Sequence, residues 1–303
     1  MKRRLLRDYA AAFVDEVDTL AYESRVTTPP YASLARGACG TAYMLWRLGN
    51  TRAANRWLSA AKADRRRGAY RYDGLTALLA DPRRPTTNPL RSSYMYGRAG
   101  LIWLEALIGG RGRARALADF AALGATALAT EDFMAGAAGY LTGARILLAS
   151  TPHAGLRRAA DAVAAALLDR LRLRSATPWT PRDATGFAFR WPGVFHALLA
   201  WHVFAAITPP PWLIEALRQL RASWSIDAVP QGFGATWCNG TTGMVLLWIA
   251  AFECTHDEMF LHTARDMARA AQASDEARSF LCCGRTGIGY ALLELDRVDS
   301  NSE

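Results

Sequence analysis

The chain has 303 residues, of which 51% are hydrophobic and 21% charged, and its 36 Lys and Arg against 27 Asp and Glu give a formal charge of +9. This is ordinary globular composition, which excludes a disordered or fibrous chain. No apolar run is long enough to span a bilayer, so no membrane partner is expected. The basic excess is arginine interspersed with acids and comes with no nucleic-acid-binding motif, so no nucleic-acid partner is expected either.

The first predicted element is an amphipathic helix in LLRDYAAAFVDEVDTLAYE, residues 5–23. Its basic start is followed too soon by Asp15, Glu16 and Asp18 for an export signal, so the expected location is cytoplasmic. A repeated unit then begins. Gly37-Ala38-Cys39-Gly40 leads into TAYMLWRL, and RAANRWLSAAKA follows a polar break. A Pro-rich loop, Pro82 to Pro89, separates this unit from Gly97-Arg98-Ala99-Gly100, which leads into LIWLEALI and then ARALADFAALGATAL. The third copy is Gly136-Ala137-Ala138-Gly139 before YLTGARILLA, with GLRRAADAVAAALLDRL after it. In the fourth, Arg190-Trp191-Pro192-Gly193 before VFHALLAWHVF, the first glycine is gone; Pro209-Pro210-Pro211 and PWLIEALRQLRASW follow. The fifth is Gly240-Thr241-Thr242-Gly243 before MVLLWIAAFE, then EMFLHTARDMARAAQA, and the sixth is Gly284-Arg285-Thr286-Gly287 before IGYALLEL.

Spacing of roughly 40 to 60 residues marks stacked supersecondary units. The first helix of each pair is apolar nearly all round and must be buried, whereas the second is amphipathic. Closing such pairs into a ring predicts an all-α (α/α) toroid of about six inner and six outer helices, with residues 1–303 as one domain. The residues 5–23 helix is then the outer partner of the sixth inner helix. The motif glycines start the inner helices, where they permit tight turns and let backbones crowd near the axis, and the helix N-termini make the central cavity electropositive.

Five cysteines, an odd number with no export signal, read as free thiols. Cys238 precedes Gly240 by two residues, and Cys282 and Cys283 directly precede Gly284, so all three sulfurs are expected at one mouth of the ring. Three thiolates with a fourth position open is a catalytic zinc pattern. The alternative, small buried apolar residues, stays open for these three and is the expected state of Cys39 and Cys254.

Together the Gly-x-x-Gly copies, WCNG at 237–240 and LCCG at 281–284 resemble the lanthionine synthetase C-like family. TAYMLWRLG, SYMYGRAG and WCNGTTG look closest to its bacterial kinase-associated branch. The resemblance spans about residues 33 to 297. It implies a helical toroid with Zn2+ on Cys238, Cys282 and Cys283. It also implies cyclase-type chemistry, in which a zinc-activated peptide thiol adds to a dehydroamino acid and forms a thioether. A peptide substrate or a kinase-like protein is the implied partner. A bound thiol facing three anionic sulfurs is expected to be more nucleophilic than one facing two sulfurs and a histidine, which Cys283→His tests.

The family's acid-base histidine falls at Phe189 in Gly186-Phe187-Ala188-Phe189-Arg190, and phenylalanine exchanges no proton. Arg190 is a candidate to stabilise an anion, and His196, two turns on, is a candidate acid-base residue if it faces the cavity; a satisfied core histidine is its other reading. The family arginine four residues before the first zinc cysteine is Gly234 here. Asp132 matches a family aspartate near zinc, with a turn or helix cap as its alternative role. The family's usual further helical pair has no counterpart after Gly287, so the expected ring has six inner helices or an incomplete seven. These departures set a weakened cyclase against a zinc-bearing pseudoenzyme that binds a peptide or a kinase-like partner. A toroidal glycosidase is disfavoured, because Glu131 and Asp132 are adjacent rather than opposed.

Overall fold

A computed structural model describes residues 32–35, 37–66, 93–275 and 282–299. The predicted helix over residues 5–23 and the loop from Pro82 to Pro89 lie outside the described residues. Among those described, all regular structure is helical. Six helices begin at the motif copies: α1 (Ala38–Arg47), α3 (Arg98–Ile108), α6 (Ala137–Ser150), α8 (Trp191–Ala205), α10 (Thr241–Thr255) and α12 (Arg285–Asp299). The amphipathic partners are α2 (Thr51–Arg66), α4 (Arg113–Ala122) with the short α5 (Gly124–Ala127), α7 (Ala154–Arg174), α9 (Pro211–Ser223) and α11 (Glu258–Gln272).

Each motif helix packs on the next in chain order, α1 on α3, α3 on α6, α6 on α8, α8 on α10 and α10 on α12, while the partners lie outside them. Tyr290 of α12 lies near enough to Tyr43 of α1 for that phenol to raise its pKa, behind burial and Glu294, so the two ends of this series are near each other. The inner layer is apolar as the sequence requires: every residue of α10 from Thr241 to Ala251 is buried. Trp103, Trp201 and Trp248 lie in the shared core, each at most 2% exposed. Truncating any of them to alanine costs about 3–5 kcal/mol by cavity formation. Ion pairs link the helices, among them Arg218–Asp257 between outer elements at 3.1 Å and Arg265–Asp299 between α11 and α12 at 2.8 Å.

The second motif glycine has a steric explanation. A Cβ at Gly40, Gly100, Gly139, Gly193 or Gly243 would stand 2.1–2.3 Å from the carbonyl oxygen of Leu34, Tyr94, Phe133, Phe187 or Trp237 respectively. In each case the incoming loop folds back so that the carbonyl six residues earlier presses on the helix. At the first position Gly37, Gly97, Gly136 and Gly240 have the same extended backbone as Arg190 (φ −141°), although a Cβ at Gly136 or Gly240 would also stand 2.5 or 2.2 Å from the carbonyl oxygen of Thr130 or Gly234. No left-handed conformation is needed there, so the fourth copy accommodates arginine. The crowding of backbones expected at the motif glycines is thus seen at the second position of the first five copies, and at Gly136 and Gly240 of the first position.

Two smaller expectations also change. The ARALADFAALGATAL segment is not one helix but breaks at Leu123, because Gly124 is pressed against Tyr140 of α6 and Ala159 of α7. Pro211 opens α9 rather than ending in the loop, at the position where a missing N–H costs nothing.

Connections from inner to outer helices are short, for example Thr151–His153 and His256–Asp257. Those from outer to inner are longer, such as residues 175–190 and 224–240. The long loops all end at inner-helix N-termini, so variable, chemistry-bearing segments collect at one end of the ring.

Candidate metal centre

The loops entering the inner helices share one turn. The amide of the first motif residue bonds to the carbonyl four residues back in Gly97→Ser93, Gly136→Asp132, Arg190→Gly186 and Gly240→Thr236. Two residues before the first motif position, the loops are stitched to one another. Ala35 N donates to Met95 O, Met95 N to Met134 O, Met134 N to Ala188 O, Ala188 N to Cys238 O, and Cys238 N to Cys282 O, over 2.9–3.4 Å. Cys238 and Cys282 are thus equivalent residues on neighbouring repeats, joined rung to rung, and Cys283 is the next residue along. Trp237 N also donates to Cys282 O at 3.1 Å, which fixes the register of this last pair.

Cys238 Sγ stands 3.5 Å from Cys283 Sγ, Cys283 Sγ 3.3 Å from Cys282 Sγ, and all three sulfurs lie within 4.8 Å of one another. Sulfurs around a tetrahedral zinc at its usual bond length stand about 3.8 Å apart. The three side chains therefore fit a single metal ion, with a fourth position left for an outside ligand. Cys238 is buried at 2% exposure, whereas Cys282 and Cys283 are partly exposed and open the cluster to solvent.

Electrostatics favour anionic sulfur here. The N-termini of α10 and α12 point at the cluster, and neither helix has an acid in its first turn to offset the dipole. The hydrogen bond from Cys282 lowers the Cys238 thiol to about 6, against burial and with help from Thr236, Cys283 and Asn239. That same bond, then burial, pushes the Cys282 thiol far up. Asn239 Nδ2 donates to Cys238 Sγ at 3.4 Å, orienting this sulfur. Cys39 is fully buried, which holds its thiol well above the usual range, and burial raises Cys254 to about 11. Both fit the inert, apolar role expected of them.

The other candidate residues are placed as follows. Asp132 Oδ1 accepts the Ala135 amide at 2.7 Å, as Ser93 Oγ accepts Tyr96 N at 3.0 Å and Thr236 Oγ1 accepts Asn239 N at 3.3 Å. Asp132 thus closes the shared turn in copy three. Its neighbour Glu131 pairs with Arg170 at 3.0 Å, so the two carboxylates do not oppose each other across a cavity. Arg190 caps α8 and turns its guanidinium back onto its own loop, to the Arg182 carbonyl and Thr185. Burial first and then Arg182 lower its pKa from the ordinary arginine value. Phe189 is 37% exposed and holds the place in its turn that Asn239 and Cys283 hold in theirs.

His196 lies on α8 with Nδ1 buried and lacking a hydrogen-bond partner. Its ring meets Phe187 at 5.2 Å and Phe133 at 6.3 Å between centroids, and both of those rings also contact Trp237. An aromatic collar thus separates His196 from the sulfur rim. Burial and then Arg145 bring the His196 imidazole down to about 3, so it is neutral at physiological pH. The collar residues and Arg145 escaped the sequence reading. Their signal was the repeat register: Phe133, Phe187 and Trp237 all precede the first motif position by three.

Residues 29–303 match the family model described as lanthionine synthetase C-like protein. The structure is similar to that of nisin cyclase, with a TM-score of 0.67 at 13% identity, covering 95% of this chain and 82% of that one. That likeness makes the fold an (α/α) toroid. No curated protein sequence matches.

Proposed function

The chain belongs to the lanthionine synthetase C-like family, and from that premise we propose that it holds Zn2+ on Cys238, Cys282 and Cys283 and catalyses addition of a peptide thiol to a dehydroamino acid. The observation that carries this reading is the convergence of three sulfurs, from two repeats, within 4.8 Å at a solvent-reachable rim. The similarity to nisin cyclase supports a peptide as substrate. Zinc bound there would take the fourth ligand from a peptide cysteine and let it shed its proton near neutral pH.

The residues of the chain set the rest. Asn239 orients the Cys238 sulfur, and the collar of Phe133, Phe187 and Trp237 floors the rim with apolar surface that keeps water from the reacting carbons. In the addition, the sulfur–carbon bond forms as the carbon–carbon π bond opens, and the resulting enolate takes a proton at its α-carbon. Phe189 stands where the family places a histidine for that transfer, so the proton comes from solvent and the reaction is slow. Asp132 is a positioning residue, holding the turn that presents Phe133 and Met134. Arg190, turned back onto Arg182 and Thr185, and His196, behind the collar, take no direct part in that transfer. The one large core shared by the described helices, with a small satellite cluster at Ala235, Ala271 and Ile288, supports one domain over residues 1–303.

A second reading, a zinc-bearing pseudoenzyme that binds a peptide or kinase-like protein in the cytoplasm, is favoured by Phe189 and by Gly234. A Cβ at Gly234 would meet nothing nearer than Ile226 at 3.8 Å, so the backbone there does not itself demand glycine. The resemblance to the bacterial kinase-associated branch points the same way. Incubating the zinc-loaded protein with a dehydrated, cysteine-containing peptide separates the two. Thioether formation above the uncatalysed rate, lost in Cys238→Ala, supports the enzyme; peptide binding without thioether leaves the binder.

A further inference from the structure

The sulfur rim holds its thiols closer together than a metal requires. Cys283 Sγ stands 3.5 Å from Cys238 Sγ and 3.3 Å from Cys282 Sγ, and none of the three is in a disulfide. Sulfurs around a zinc ion stand about 3.8 Å apart, whereas a covalent sulfur–sulfur bond is about 2.05 Å. A closure of about 1.5 Å, divided between two side chains, therefore decides whether a pair of these atoms shares a cation or bonds to each other.

Chain geometry selects the pair. Cys282 and Cys283 are consecutive, and Cα atoms across a trans peptide are about 3.8 Å apart, short of the roughly 4.4 Å that an unstrained disulfide needs. The partner left for Cys283 is Cys238, 45 residues earlier on the neighbouring repeat. The two loops are already held side by side, since Trp237 N and Cys238 N both donate to Cys282 O, at 3.1 and 3.3 Å. The backbones are thus in place before any bond forms.

Access differs across the site. Cys282 and Cys283 are partly exposed, whereas Cys238 is 2% exposed. A small oxidant meets Cys283 at the rim, with Cys238 behind it as the thiol that resolves the product. Cys39 of α1 and Cys254 of α10 lie outside this cluster.

We propose that Cys283 and Cys238 are a hydroperoxide-sensitive dithiol whose disulfide displaces zinc, so that oxidation switches the rim off and a dithiol reductant restores it. The zinc half of this rests on the reading of the rim as a metal site. The Cys283 sulfur attacks one peroxide oxygen and the O–O bond breaks, which leaves a sulfenic acid and, with a proton from solvent, water. The Cys238 sulfur then attacks the sulfenic sulfur, and the hydroxyl leaves with a second proton as water. Two thiolates have lost two electrons to the peroxide, and neither remains a ligand. Cys282 alone is too few for an open zinc site, which takes three protein ligands.

The test treats full-length protein, zinc-loaded and metal-free, with hydrogen peroxide. Non-reducing peptide mapping reads the crosslink, and a chromogenic chelator reads released zinc. One Cys238–Cys283 disulfide per chain is expected in both forms. In the loaded form each crosslink releases one zinc, and dithiothreitol reverses both changes. Cys282→Ser, which cannot complete the metal site, still forms the crosslink, whereas Cys238→Ser and Cys283→Ser do not. Cys283→His keeps its zinc at the oxidant dose that empties the wild type. Oxidation of the wild type that ends in sulfinic acid without a crosslink, or a crosslink joining any other pair, overturns the proposal without any variant. Zinc retained by the crosslinked protein overturns the switch. A wild type that never binds zinc breaks the metal reading instead, and the crosslink in the metal-free protein still decides whether Cys238 and Cys283 are the dithiol.

Discussion

The fourth and fifth repeats are neighbours in the ring and share one backbone, yet one carries a cysteine of the proposed metal site and the other does not. Ala188 and Cys238 occupy equivalent rungs, joined by a 3.0 Å hydrogen bond. Gly193 and Gly243 are each pinned by a carbonyl that would stand 2.2 Å from an added Cβ. The next residue is Phe189 in one turn and Asn239 in the other. Architecture is thus fixed by the second glycine and the carbonyl pressed on it, while the chemistry resides in two residues before the helix whose identity the backbone leaves free. Even the start of the turn varies. Thr236 closes it with a hydroxyl, whereas Gly186 does so at φ +76°, a conformation that favours glycine.

The sharpest way to exploit this comparison is to give the fourth turn the group it lacks. Phe189→His is expected to raise the rate of thioether formation about 10²-fold or more with zinc content unchanged, measured by mass spectrometry of a dehydrated peptide. An unchanged rate means that proton transfer is not what limits the protein.

The next largest effect tests the shared backbone. Gly193→Ala and Gly243→Ala are each expected to cost about 1–3 kcal/mol or more, because a carbonyl cannot yield as a side-chain tip does. Arg190→Gly should cost about 0.5–1 kcal/mol, since both residues suit an extended backbone. Urea unfolding distinguishes them, and equal losses at positions 190 and 193 would break the assignment.

A smaller effect concerns His196, below the collar. Its ring is held neutral in the folded protein at about 3 but takes a proton near 6.5 when unfolded. The unfolded state therefore binds more protons between those values, and this contribution to stability, full above 6.5, is lost as pH falls toward 3. His196→Gln should flatten that part of the stability profile. A variant with the same slope as wild type contradicts the placement.

The mildest change is Cys283→His. It keeps three ligands but removes one negative charge, so the reactivity of a bound thiol should fall severalfold while metal stays bound. Rates at saturating peptide measure it.

Much of this was legible in the sequence. Apolar helices followed by amphipathic ones, each introduced by the same short motif, were enough for the toroid, and the matched placement of Cys238 and Cys282–Cys283 was enough to bring the sulfurs together. Where the reading fell short, side-chain direction was the reason. Asp132 was visible as a polar residue near a helix start, but only the loop geometry shows its oxygen accepting the Ala135 amide. Arg190 sat beside the vacant histidine position, and nothing in the sequence told that it turns back to Arg182. Arg145 was hidden within YLTGARILLA, an apolar run in which a lone arginine reads as a surface residue until the neighbouring repeats are set around it.

The central claim is that three sulfurs from two repeats share one cation. Metal analysis of the purified protein and its five single Cys→Ala variants tests this most directly. One zinc per chain is expected in wild type, Cys39→Ala and Cys254→Ala, and none in Cys238→Ala, Cys282→Ala or Cys283→Ala. A wild-type protein that binds no zinc when offered it, or a Cys238→Ala variant that retains its zinc, would contradict the account.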